Sequence, residues 1–201
     1  MKRVVNQFTV VLILFLGIYF FAKQIDWIKL FQINQISDIT DAKLGDILWY
    51  STKNDEHVIN DNFTCDSVDS LLCEICIKND IRRDKIKLHI LKKDQVNAFA
   101  LPGNHIVIHS GLIKEAQNQE ELIGVICHEL AHIQLSHIRK KLVKEFGLSI
   151  LLSIVSGTGD SSMIGLIVKH LTSSSFDREY EKEADLKAVE YMRIANVNIK
   201  P

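Results

Sequence analysis

The sequence predicts an α+β domain, mostly helical with one small β-sheet, preceded by one N-terminal transmembrane helix. Three observations carry this expectation. The 201 residues are 47% hydrophobic and 24% charged, enough apolar material for one sizeable core. Strand-like alternation is confined to a few short stretches between Lys85 and His109. Apolar residues elsewhere recur at helical spacing, with cap signals at the ends. The composition excludes intrinsic disorder, and with 9 Gly and 2 Pro it excludes collagen-like and proline-rich chains. Lys and Arg number 24 against 25 Asp and Glu, a net charge of -1 that argues against a nucleic-acid partner.

The elements follow in chain order. Met1-Lys2-Arg3 is basic, and Val4 to Ala22 is apolar except for Asn6, Gln7, Thr9 and Gly17. This approaches the roughly 20 residues of a bilayer span. The run ends in Tyr19-Phe20-Phe21-Ala22-Lys23, bulky where signal cleavage needs small residues. Residues 1–22 are therefore expected as an uncleaved signal anchor, with the N-terminus inside on the strength of Lys2 and Arg3. Residues 23–40 read as a juxtamembrane connector, and residues 41–201 as the folded domain, opening with a short helix over Asp41 to Tyr50. Val68, Leu71, Leu72, Ile75 and Cys76 fall at helical spacing within Asp66 to Asn79. Cys73-x-x-Cys76 with Cys65 has the pattern of a zinc knuckle or redox pair. On this helix the same cysteines read as apolar-face residues. Outside the cytoplasm a disulfide from Cys65 becomes available.

Ile86, Leu88 and Ile90 alternate along a strand from Lys85 to Leu91. Val96 to Leu101 and His105 to His109 form a second extended pair around the turn signal Pro102-Gly103. Asn118 followed by Glu121 fits a capping box, opening one long helix over Leu122 to Phe146 with Gly147 as its stop. Ser149 to Lys169 is apolar but broken by Ser156-Gly157-Thr158-Gly159-Asp160-Ser161-Ser162. Neither half is long enough for a membrane span, so two short helices and a loop are expected. Arg178 to Ala195 closes the chain as a helix.

The chemistry concentrates in His128-Glu129-Leu130-Ala131-His132. On a helix, positions i and i+4 share a face, so both imidazoles can reach one zinc ion, with Glu129 placed to work on a water molecule. Ile123, Ile126, Leu130 and Ile133 indicate that this helix is buried. A buried carboxylate between two histidines demands a partner or a metal. A third ligand is sought in Glu179-Tyr180-Glu181-Lys182-Glu183-Ala184-Asp185. Glu181 and Asp185 share a face, yet spacing alone does not choose Glu181 over Glu179 or Glu183. His137 stands nine residues after His128, near the opposite face of a continuous helix, and reads as structural. His89, His105, His109 and His170 have no metal spacing.

His128–His132, Glu181-x-x-x-Asp185 and Arg178, with the upstream Asn97-Ala98-Phe99-Ala100-Leu101-Pro102-Gly103 and Ile106-x-Ile108-x-x-Gly111-Leu112, resemble the HtpX-like and CAAX-prenyl-protease-like zinc metallopeptidases of peptidase family M48. Asn104 stands where that family usually has a second Gly, and Asp177 where it often has Ser. The resemblance spans about residues 85–195. It implies a zincin-type metallopeptidase domain with one zinc ion held by His128, His132 and Glu181. It further implies Glu129 as catalytic base, and Asp185 and Arg178 supporting the ligands.

The expected function is a membrane-anchored zinc endopeptidase acting on unfolded or misfolded protein substrates in protein quality control. Its catalytic domain is expected on the extracytoplasmic, periplasmic side of a single-pass anchor. The strand His105, Ile106, Val107 and Ile108 is the candidate platform for an extended substrate. His170, Arg178 and Tyr180 are candidate oxyanion donors. Two other classes compete: a zinc-containing chaperone or binding module with little proteolysis, and a thiol redox protein using Cys73 and Cys76.

Overall fold

The computed structural model describes residues 38–54, 57–173 and 176–198, with positions 7, 12, 14–17 and 19. The chain divides into two units, Met1–Gln35 and Ile36–Pro201. In the first, the described positions are helical and exposed. The remainder of the anchor over residues 1–22, and of the connector up to position 37, lies outside the described residues. The single-pass membrane localisation expected from the sequence needs correction. No helix among the described residues is long and apolar enough to cross a membrane.

The second unit opens with helix α1 (Asp38–Asn54), which is longer at both ends than the sequence suggested. Helix α2 (Asn62–Lys78) follows, its first turn capped by the Asp61 carboxylate, which accepts the Thr64 N–H at 2.9 Å. Then come strands β1 (Lys87–Leu91), β2 (Ala98–Leu101) and β3 (His105–His109). Their spatial order is β1-β3-β2, with β1 parallel and β2 antiparallel to β3. All five residues of β3 are buried. Its side chains alternate between two cores, which explains a strand that is apolar on both faces. Ile106 and Ile108 join Leu72 and Ile75 of α2 on one side of the sheet, while Val107 joins Leu44 and Leu48 of α1 on the other.

After β3 the chain is helical: α3 (Ser110–Glu115), α4 (Gln119–Gln134), α5 (His137–Phe146), α6 (Leu148–Ser156), α7 (Ser161–Ser173) and α8 (Arg178–Ile194). Ile126 and Leu130 of α4 and Ala184 and Tyr191 of α8 complete the first core. Leu142 of α5, Leu151 of α6 and Ile167 of α7 complete the second. The interrupted apolar stretch thus forms two short helices, as its pattern predicts, turned at Gly157 with φ +80°.

One expectation fails here. The helix from Leu122 to Phe146 is not continuous, because Ser136 adopts a left-handed conformation (φ 57°, ψ 29°). The Leu135 and Ser136 N–H groups bond back to Ala131 and Ile133, ending α4. Ser136 is not a strong helix stop in sequence, and the break is visible only once α5 has to pack into the second core.

The β2–β3 turn is locked from below. The Gly103 N–H donates to Asp41 Oδ2 at 3.0 Å, and a methyl group on Gly45 would lie 1.9 Å from the Pro102 carbonyl oxygen. At Gly124 the nearest atom outside its own helix to an added methyl is the far end of Met192 at 3.9 Å. Gly45→Ala is expected to destabilise the domain by about 3 kcal/mol, a Tm fall of roughly 6–12 °C. Gly124→Ala, inside a helix with room for the methyl, should gain about 0.5–1 kcal/mol. Thermal unfolding of the two variants checks both signs, and a Gly45→Ala variant as stable as the parent would contradict this packing.

Candidate metal centre

Helix α4 is fixed at its start by the expected cap. Asn118 Oδ1 accepts the Glu121 N–H at 2.9 Å, and Glu121 in turn accepts the Gln117 N–H at 2.9 Å. One turn apart on this helix, His128 and His132 turn their Nε2 atoms toward each other at 3.0 Å. Helix α8 packs against α4 through Ala184 and Ala188, whose small side chains allow close approach. This brings Glu181 Oε2 to 3.4 Å from His128 Nε2. The second oxygen of Glu181 accepts the Phe176 N–H at 2.7 Å, which fixes the carboxylate. Among the described residues, His128, His132 and Glu181 are the one His/Cys/Asp/Glu group whose donor atoms lie within 4.8 Å of one another. Neither Glu179 nor Glu183 enters it.

Each histidine is also held from behind. His128 Nδ1 faces Asp185 Oδ1 at 3.0 Å, as the shared helix face of Glu181 and Asp185 suggests. His132 Nδ1 faces His137 Nδ1 at 3.1 Å, and His137 Nε2 faces Glu183 Oε2 at 3.0 Å. Phe176 stacks on His132 with ring centroids 4.0 Å apart, and Tyr180 stacks on His137 at 4.6 Å. Burial, followed by the neighbouring His128, His137 and Lys141, pushes His132 down to about 3. It is therefore a neutral imidazole, the form that binds metals. Burial also lowers His137, against the opposing pull of Glu183.

Glu129 is buried and lines the same cavity of about 270 Å³, together with His128, His132, Ala98, Ala100 and Phe176. Burial first, then the charge of Glu181, pushes its carboxyl up to about 8, while the Ala100 N–H that it accepts works the other way. A cation held between the histidines and Glu181 would oppose both upward causes.

Other expected site residues lie elsewhere. His105, the first residue of β3, is buried in a separate cluster, with His89 Nε2 at 3.0 Å, Lys87 Nζ at 3.2 Å and Asp46 Oδ1 at 3.2 Å. Ile106, Val107 and Ile108 are core residues on a central strand bonded on both sides, so β3 has no free edge for a substrate. The edge strand beside the cavity is β2. Arg178 is exposed on the first turn of α8 and makes no hydrogen bond or ion pair among the described residues, so it does not brace the histidines. None of His170, Arg178 and Tyr180 lines the cavity. The sequence does not bring His137, Glu183, Phe176 or the Ala100 amide to the site. The first two carry a readable signal only if the helix break is known.

A helix pair presenting two histidines and a glutamate, with a buried carboxyl beside them and an open strand edge opposite, defines a metallopeptidase domain. The model of the family described as peptidase family M48 matches residues 65–201, and the chain belongs to that family. It is similar to the beta-barrel assembly-enhancing protease of Escherichia coli, 24% identical over 76% of this chain and 34% of that protein. It is also similar to the protein of that name in Yersinia pestis, 28% identical over 55% of this chain and 25% of the relative. Metalloprotease LoiP of Escherichia coli is 26% identical over 57% of this chain and 48% of its own length. The chain thus spans a quarter to a half of the length of these relatives.

No cysteine belongs to this donor cluster. All four are free thiols, and Cys76 and Cys127 are fully buried. Burial pushes Cys76 up to about 11 and Cys127 up to about 12, the opposite of what thiolate redox chemistry needs. In the folded protein at pH 8, Ellman's reagent should leave both unreacted until a denaturant is added. Rapid native-state reaction at Cys76 would restore the redox alternative.

Proposed function

We propose that the chain is a zinc-dependent endopeptidase that hydrolyses peptide bonds of unfolded or damaged proteins. The convergence of His128, His132 and Glu181, with Glu129 buried in the wall of the same cavity, carries this reading. The donor set suits zinc. Two imidazole nitrogens and one carboxylate oxygen, 3.0 and 3.4 Å apart along two edges, compare with about 3.3 Å between ligands placed tetrahedrally at roughly 2.0–2.1 Å from an ion. Three protein donors also leave the fourth position that catalysis requires. His128, His132 and Glu181 would hold the ion, which when bound supplies a Lewis acid that acidifies water and polarises a carbonyl.

The chain's own residues do the rest. Glu129 takes the proton of the attacking water and returns it to the leaving amine. Asp185 accepts from His128 Nδ1–H, keeping the Nε2 lone pair turned to the donor cluster. The Ala100 N–H points away from β3 to Glu129, so the outer edge of β2 faces the cavity. Ala98, two residues earlier, presents its amide and carbonyl on the same side. A substrate segment added to that edge gains backbone hydrogen bonds with little demand on its sequence, which suits unfolded chains. The adjoining cavity of about 590 Å³, which shares Asn97, Phe99, Thr172 and Ser173, offers room for flanking side chains. Relatives named as assembly-enhancing proteases and a metalloprotease support a protein substrate.

Glu129→Gln is expected to keep one zinc per chain by elemental analysis and to slow casein cleavage by about 10²–10⁴-fold. Retention of full cleavage would contradict the assignment of Glu129. His128→Ala should lose the zinc as well. If wild-type protein holds one zinc and cleaves no unfolded substrate, the chaperone or binding module is the correct reading.

A further inference from the structure

We propose that His137 and Glu183 are positioning residues that orient His132 as a metal ligand through a directed hydrogen-bond relay, a role that rests on the zinc reading above. The geometry fixes the direction of the relay. His132 Nε2 lies 3.0 Å from His128 Nε2 on the side of the donor cluster, so its lone pair is required there and its ring proton sits on Nδ1. His137 Nε2 lies 3.0 Å from the Glu183 carboxylate, which only accepts, so His137 carries its proton on Nε2. A neutral His137 then has its lone pair on Nδ1, 3.1 Å from His132 Nδ1. His132 donates to His137, and His137 donates to Glu183. No other arrangement of two neutral rings satisfies all three contacts.

The surroundings hold this arrangement. His137 is fully buried, and Tyr180 stacks on its ring at an interplanar angle of 15°. Phe176 covers His132 in the same manner, at 20°. The left-handed turn at Ser136 is what brings His137 back to His132, since on a continuous helix a residue five positions on points well away. The two helix-borne histidines are therefore backed differently. His128 meets Asp185 directly at 3.0 Å, while His132 reaches a carboxylate through a second imidazole. A carboxylate at the end of either chain fixes the tautomer and strengthens the ring nitrogen facing the metal.

Zinc affinity of the full chain, measured by competition with a fluorescent chelator, tests the relay. His137→Leu keeps bulk and removes the acceptor, and should weaken zinc binding about 10–100-fold. His137→Gln keeps one acceptor and one donor in similar positions and should recover most of that loss. Glu183→Ala alters the half-exposed end of the relay, leaves the core intact, and should weaken zinc measurably but less than His137→Leu. Wild-type affinity in His137→Leu, or equal loss in the Leu and Gln variants, would overturn the relay in favour of packing alone. If His137→Leu fails to fold by circular dichroism, unchanged affinity in Glu183→Ala overturns it instead. A wild-type chain that binds no zinc overturns the metal reading and the relay together, whereas tight wild-type binding with an indifferent His137 overturns the relay only.

Discussion

Everything distinctive about this site depends on how closely α8 approaches α4. Glu181 belongs to a helix 49 residues further along the chain than His132, and only the packing of Ala184 and Ala188 against the face of α4 delivers it to His128. The same approach delivers Asp185 to His128 Nδ1 and Glu183 to His137. Two carboxylates of α8 thus meet His128 and a third meets His137, which in turn faces His132. A larger side chain at position 184, which is fully buried, would separate all three contacts at once.

Such a concentration of polar groups inside a core is costly unless each is satisfied. Glu129, His132 and His137 are all buried, yet every one has a named partner: the Ala100 amide, the two neighbouring imidazoles, and Glu183. The unbalanced elements are the two facing Nε2 atoms and Glu129, raised to about 8 by burial beside Glu181. A cation at the donor cluster would resolve both. Aromatic rings of Phe176 and Tyr180 seal the histidines from the side, restricting their rotation.

Much of this was legible in the sequence, and the omissions have physical causes. The i, i+4 pair on α4, its Asn118 cap, the three strands and the split apolar segment follow from local periodicity and turn chemistry. The resemblance to a known family singled out Glu181, which spacing could not. Periodicity puts His137 near the opposite face because it assumes an unbroken helix, and the left-handed Ser136 breaks that helix. His105 to Ile108 appeared suited to substrate because a strand's sequence does not reveal whether it lies at the edge or the centre. Arg178 matched a pattern but lies exposed, without a partner among the described residues. The basic, apolar N-terminal segment predicted an anchor that no described helix supplies.

The central claim is that one zinc ion is bound by two histidines of α4 and a glutamate of α8. X-ray absorption at the zinc edge of the purified full chain tests it most directly. The expected result is a first shell of light nitrogen and oxygen scatterers at about 2.0–2.2 Å, with the outer-shell signature of two imidazoles. A sulfur shell at about 2.3 Å would instead place the metal on the cysteines of α2 and contradict a metal centre at His128, His132 and Glu181.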